Sequence, residues 1–229
     1  MTTRRPTASE MIWPDSPDDA DLATTWAVGI SSQVLSWMWR AFDSMRNSLF
    51  PRIDFTRDPE QLERDLTRNH FVEIQLLFGT ETSGYASFVP VHEWPELETR
   101  SSSQAKPPAY DFAFIYPDDR RWAWPAEAKV VTSSSALGEY MKDVNEKFIR
   151  GVAAPLVGEG AMIAYLISCD ADSVLSGIES RLGQRLQPVP KFVDRQHKCS
   201  SHGRENAPNI RLHHLMMVCD STQTKNETF

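Results

Sequence analysis

Residues 110–131 read YDFAFIYPDDRRWAWPAEAKVV, and the fold turns on this stretch. Tyr110–Tyr116 is a short run of aromatic and β-favouring residues. Pro117-Asp118-Asp119-Arg120 supplies a turn, and Arg121–Val131 returns as a second run, so the pair reads as a β-hairpin. Side chains alternate along a strand, so Glu127 and Lys129, two apart, share one face, and Asp111 lies across the hairpin from them. Their neighbours Trp122, Trp124, Ala126, Ala128, Val130 and Val131 mark a largely buried strand. Charges planted in such a strand must be paired, metal-bound or at the open end of a sheet. Pro125 removes a ladder donor and predicts an edge or a bulge at that point.

Downstream of the hairpin, Thr132–Ser135 caps a helix expected to run to about Ile149, with Gly151 as its stop. Ala161–Ser168 is near-continuously apolar and predicts a central strand. Asp170–Leu186 reads as a helix and Asn209–Cys219 as a last strand. Upstream, Tyr85–Val91 reads as a strand and Leu97–Pro108, with its serines and prolines, as a loop. Asp58-Pro59-Glu60-Gln61 is a helix start with an acidic N-cap, and that helix is expected to end near Phe78 at Gly79. Residues 21–48 place Trp26, Ile30, Val34, Trp37, Ala41 and Met45 on one stripe, read as a helix packed on the core. The order is helix, helix, three strands, helix, strand, helix, strand. It describes an α/β chain: a mixed sheet flanked by helices on both faces, with an extra N-terminal helix. The expected division is a poorly ordered segment 1–20, a Trp-rich helix 21–50, a core 51–220 and a polar tail 221–229.

The chain has 229 residues, 41% hydrophobic and 24% charged, which is ordinary globular composition. Its formal net charge of −7 argues against a non-specific coat for nucleic acid, though not against an enzyme with one local basic face. Six cations against Asp194 and Glu205 between Arg185 and His214 make one such segment. Three cysteines do not suggest a disulfide scaffold. The longest clean apolar run, Ala161–Ile167, is far short of the ~20 residues of a membrane span, and the first residues do not read as a signal peptide. A cytoplasmic protein without membrane contact is expected.

Tyr110-Asp111-Phe112, then Glu127-Ala128-Lys129, with Glu63 on an upstream helix and Tyr140, Lys147 and Arg150 on the following one, resembles the PD-(D/E)xK nuclease superfamily over residues 58–219. The resemblance departs from the family at Ala109-Tyr110, where members often carry proline directly before the acid. It implies a restriction-endonuclease-like fold and a Mg²⁺- or Mn²⁺-dependent hydrolase of phosphodiester bonds, most simply an endonuclease acting on DNA in restriction, phage defence or repair. Asp111 and Glu127 would hold the metal, and Lys129 would position a water or stabilise charge on the phosphate. Glu63 would add a ligand or orient the others, with Glu73 and Asp65 as substitutes for it. Oxygen donors of this kind suit hard cations. Lys147, Arg150, His202 and Arg204 are the nucleic-acid contacts expected from local charge. Partners would be DNA and a second copy of the chain, through the Trp-rich helix, or a larger defence complex.

Two other classes fit the residues. One is a non-catalytic interaction module that keeps a nuclease-like fold. The other is a zinc protein centred on His197, Cys199, His202, His213, His214 and Cys219, for which Cys199-x2-His202 followed by His213 is a suggestive spacing. A Ser-His-Asp hydrolase is disfavoured because no Gly-x-Ser-x-Gly elbow occurs.

Overall fold

The computed structural model describes residues 17–82, 86–97 and 109–219. Seven strands make one mixed sheet: β1 (Val89–Pro95), β2 (Ala109–Ile115), β3 (Ala123–Val131), β4 (Glu159–Leu166), β5 (Gln187–Pro188), β6 (His197–His202) and β7 (Ile210–Val218). Their spatial order is β1-β2-β3-β4-β7-β6-β5. The β1–β2 and β2–β3 pairs are antiparallel, β3–β4 and β4–β7 are parallel, and β7–β6 and β6–β5 are again antiparallel. Every residue of β4 is buried, as its apolar run requires of a strand covered on both faces.

The helices are α1 (Pro17–Ser48), α2 (Pro59–Glu81), α3 (Gly138–Asp143) and α4 (Ala171–Leu182), with a π-helical turn at Val144–Ile149 directly after α3. The α1 helix starts at Pro17, four residues before the expected start at Asp21. Its stripe is core: Ile30, Val34, Trp37, Ala41 and Met45 are all buried. Trp26 is half-buried against Tyr116 and Trp122, and its indole N–H donates to the Ser87 carbonyl at 2.8 Å. The tryptophans of α1 therefore pack within the chain.

Asp58 caps α2 as expected, its carboxylate accepting the N–H groups of Glu60 and Gln61. Gly79 does not end this helix. Glu81, two residues on, pairs with Arg40 and accepts from the Trp37 indole on α1, and these tertiary contacts carry the helix past the glycine. In α4 the helix stops at Leu182 rather than Leu186, because Gly183 takes a left-handed φ of 62°. No side chain from Thr132–Ser135 caps α3, which begins at Gly138.

The predicted hairpin forms in the register Phe112↔Ala126 to Ile115↔Ala123. Pro125 sits on a strand with neighbours on both sides, yet β4 joins β3 only from Ala126 onward, so the missing N–H falls where one neighbour has not begun. Of the predicted strand Tyr85–Val91, the observed β1 starts later, at Val89, and Tyr85 lies outside the described residues. The predicted loop from residue 98 onward, residues 1–16 and the polar tail 221–229 also lie outside them. Strands β5 and β6 were not expected. The sequence of β6, HKCSSH, carries no apolar alternation, yet His197, Cys199 and Ser200 are buried in it. Among the described residues no helix is long and apolar enough to cross a membrane.

Gly160 marks a close approach between the π-helical turn and the sheet. A Cβ there would meet the Phe148 ring at 2.9 Å and the Pro125 carbonyl oxygen at 3.1 Å. Gly160→Ala is therefore expected to lower unfolding free energy by about 1–3 kcal/mol, the usual cost of overpacking, measured by urea denaturation.

His70 is fully buried between the Tyr165 hydroxyl (2.8 Å) and the Met38 carbonyl (2.7 Å), and burial pushes its pKa down to about 4. Between its ordinary value and about 4 the unfolded chain binds a proton at this residue that the native state refuses. Stability should thus fall on acidification, by about 2 kcal/mol from His70 alone between roughly pH 7 and pH 5, and His70→Gln should flatten that slope in urea titrations.

Candidate active site

The β2 strand leaves its neighbours at Asp111. On one side the β2–β3 ladder ends at Phe112↔Ala126, so continuing the register would set Asp111 opposite Glu127. On the other side the β1–β2 pairing passes from His92↔Phe112 to Trp94↔Tyr110 and skips Glu93. Glu93, across from Asp111, has a left-handed φ of 52°, a conformation that costs a non-glycine residue free energy and collects at functional sites.

Where β2 departs, the N–H groups of Ala128 and Val130 on β3 lose their strand partner. Two carboxylates replace it. Asp111 Oδ2 accepts from Ala128 N–H at 2.8 Å, and Glu63 Oε2 from Val130 N–H at 3.0 Å. The other Glu63 oxygen accepts from Lys129 Nζ at 3.0 Å. Lys129 also lies 3.3 Å from Asp143 Oδ2 at the end of α3. Lys147, on the π-helical turn, stands 2.8 Å from Glu127 Oε2 and 3.5 Å from Asp143 Oδ2. Six charged side chains from α2, β2, β3, α3 and the π turn are thereby gathered in one place.

Glu127 is the most enclosed of them, 1% exposed, and its Oε1 is buried with no hydrogen-bond partner among the described residues. Burial pushes its carboxyl well above the ordinary carboxylate range. The negative charge of Asp111 adds to that, and the Lys147 ion pair works against it. Burial opposes the Lys129 ammonium, but Glu63, Asp111 and Asp143 together outweigh it and hold the charged form above its ordinary range. The same balance, with Glu127 foremost among the carboxylates, raises Lys147.

A cavity of about 690 Å³ opens onto this cluster between the start of α2, β1, β3 and the start of α3. Asp111, Glu63 and Lys129 line it, as do Glu60, Arg64, Glu93 and Glu139. Its charged wall holds five carboxylates against Arg64 and Lys129.

The structure brings Asp111, Glu127, Lys129 and Glu63 together and adds Asp143 and Glu93, which the sequence reading did not single out. The Asp143-x3-Lys147 spacing, one helical turn, was the available signal for Asp143. Glu73 and Asp65 lie elsewhere: Glu73 accepts from Ser44 on α1 at 2.6 Å, and Asp65 pairs with Arg57. Lys147 is not held out to solvent as a phosphate contact but is committed to Glu127. Arg150 is exposed, next to the π turn. His202 and Arg204 do not line the cavity. His202 bonds to Ser200 and Gln184, and the Arg204 guanidinium is spent on the carbonyls of Pro208, Ala153 and Val157. Burial lowers the Arg204 pKa to about 10.

Among the described residues no group of three or more His, Cys, Asp and Glu side chains is arranged to hold a metal ion. Glu63, expected to join Asp111 and Glu127 as a ligand, is turned to Lys129 and Val130. Asp111 and Glu127 remain as a pair of carboxylates, one with an orphaned buried oxygen. That pair suits an ion such as Mg²⁺, which keeps several waters and takes one or two carboxylates together with substrate phosphate. The histidines of the expected zinc site are divided between two hydrogen-bonded chains. His197 Nε2 meets His213 Nδ1 at 3.0 Å and His213 Nε2 meets Glu159 at 3.2 Å, while His214 joins Tyr140 (2.7 Å) to Ser200 (2.8 Å). Cys199 accepts from Arg211 at 3.4 Å.

No family model, curated protein or solved structure matches the chain.

Asp111→Ala removes the carboxylate that accepts from Ala128 N–H in a buried strand. It is expected to cost about 1–3 kcal/mol in thermal or urea unfolding, and Asp111→Asn, which keeps an acceptor oxygen, to cost less.

Proposed function

We propose that the chain is a metal-dependent phosphodiesterase of restriction-endonuclease-like type, a nuclease with DNA as its substrate. The observation that carries this reading is the meeting of Asp111, Glu127 and Lys129 at the point where β2 and β3 part, with a cavity reaching Asp111 and Lys129. The cavity wall is acidic, so a bare polyanion would be repelled. Asp111 and Glu127 would hold a divalent ion, which would offset part of that negative charge and offer a phosphate oxygen a ligand position. When bound, such an ion polarises the phosphate and lowers the pKa of a coordinated water.

The rest of the task falls to the chain. Asp111 presents its carboxylate rigidly because Oδ2 is fixed on Ala128 N–H. Glu127 would present Oε1, which is buried and has no hydrogen-bond partner among the described residues. Lys129 is held charged by three carboxylates, with its ammonium at the cavity, where it can orient an attacking water and meet charge growing on the phosphate. Glu63 orients Lys129 through a 3.0 Å hydrogen bond and takes no part as a ligand. Arg64 supplies a cation on the cavity wall for the adjoining phosphate backbone.

The test is Mg²⁺-dependent cleavage of supercoiled plasmid and of a labelled duplex. Glu127→Ala and Lys129→Ala should each reduce the rate by about 10²-fold or more while the protein stays folded by circular dichroism. Equal cleavage by all three proteins, or none in any metal, would instead leave a non-catalytic module in which Asp111 and Glu63 serve only to finish the open edge of β3.

A further inference from the structure

The sequence suggested Lys147 as a contact for nucleic acid. The geometry points to a different task, and resting on the reading above, we infer that Lys147 is a positioning residue for the metal-binding carboxylate of Glu127. It holds Oε2 so that Oε1 alone is offered to the divalent ion.

Three observations support this. First, the two Glu127 oxygens differ: Oε2 is 2.8 Å from Lys147 Nζ, whereas Oε1 is buried and without a partner. An isolated buried carboxylate would turn freely about its last bond, and an ammonium on one oxygen restrains that turn. Second, Lys147 is itself fixed. Asp143 Oδ2, one turn earlier, lies 3.5 Å from its ammonium and 3.3 Å from that of Lys129, so one carboxylate stands at ion-pair distance from both lysines. Third, Lys147 sits on a π-helical turn, Val144–Ile149, a rare geometry that is frequent at functional sites. Phe148, the next residue on that turn, is fully buried, and its ring lies close over Gly160, where even a Cβ would come within 2.9 Å. The segment carrying Lys147 is therefore seated on the sheet immediately beside the Glu127 strand.

The arrangement has the form seen around many metal sites, in which a residue that does not touch the ion orients one that does. It separates two lysines that the sequence alone presents as equivalent cations: Lys129 faces the cavity, and Lys147 stands behind the ligand.

The test is Mn²⁺ binding by isothermal titration calorimetry on the full chain, with thermal unfolding as the control for folding. Lys147→Met should weaken Mn²⁺ about tenfold or more, and Lys147→Arg should recover most of the loss. Lys142→Met, at an exposed lysine on α3 paired with Glu139, should bind as the wild type does. Glu127→Gln should abolish binding. If wild type binds and Lys147→Met binds equally well, the inference fails and the metal site stands. If wild type binds no Mn²⁺, with or without a short duplex, the functional reading itself fails. A crystal structure of the wild type with Mn²⁺ decides the matter even if Lys147→Met does not fold. The ion should sit on Oε1 with Lys147 still on Oε2, and an ion on Oε2 with the lysine displaced overturns the inference.

Discussion

The open edge that β2 leaves along β3 governs the arrangement of everything around it. Beyond Ala126 the side of β3 turned away from β4 is no longer paired with β2, and a buried donor left unsatisfied costs about 1–3 kcal/mol. Asp111 and Glu63 meet that demand with one oxygen each. Carboxylates brought in to finish a sheet must then be balanced, and Lys129 and Lys147 do so, with Asp143 shared between them. A cluster of acids and lysines at a strand opening is thus a consequence of backbone hydrogen bonding before it is anything else. The same cluster contributes Asp111, Glu63 and Lys129 to the wall of a cavity large enough to take a phosphate group.

The histidine-rich end of the chain has a separate purpose. Strand β6 brings polar residues into the core, and each must find a partner. His197 and His213 hydrogen-bond to each other, and His213 goes on to Glu159, which accepts from Ser31 on α1. On β7 the next residue, His214, points to the opposite face and joins Tyr140 on α3 to Ser200. Burial drives His214 down to about 3 and His197 to about 2, so both remain neutral donors and acceptors. These chains tie α1 to β4 and α3 to β7, and α3 borders the charged cluster.

The parts of this picture legible in the sequence are those fixed by local pattern. The hairpin of β2 and β3, the buried β4 and the stripe of α1 follow from alternation, continuous apolarity and helical spacing, and the N-cap of α2 from a single aspartate. The shared face of Glu127 and Lys129 follows from strand geometry. What was not legible depends on contacts far apart in the chain. Strand β6 has no apolar pattern because its buried groups are satisfied by hydrogen bonds from other elements. The extension of α2 past Gly79 rests on Arg40 and Trp37. Arg204 reads as a surface cation, yet three carbonyls of the surrounding loops enclose it. The position of Lys147 depends on a π turn, which no residue pattern announces.

The most direct test of the account replaces Mg²⁺ with Fe²⁺ and lets peroxide generate hydroxyl radicals at the bound ion, so that the chain cuts itself where the metal sits. Fragments ending next to Asp111 and next to Glu127, suppressed by excess Mg²⁺, are the predicted result. Cuts confined to the histidine-bearing strands β6 and β7, or no cutting above background, would contradict it.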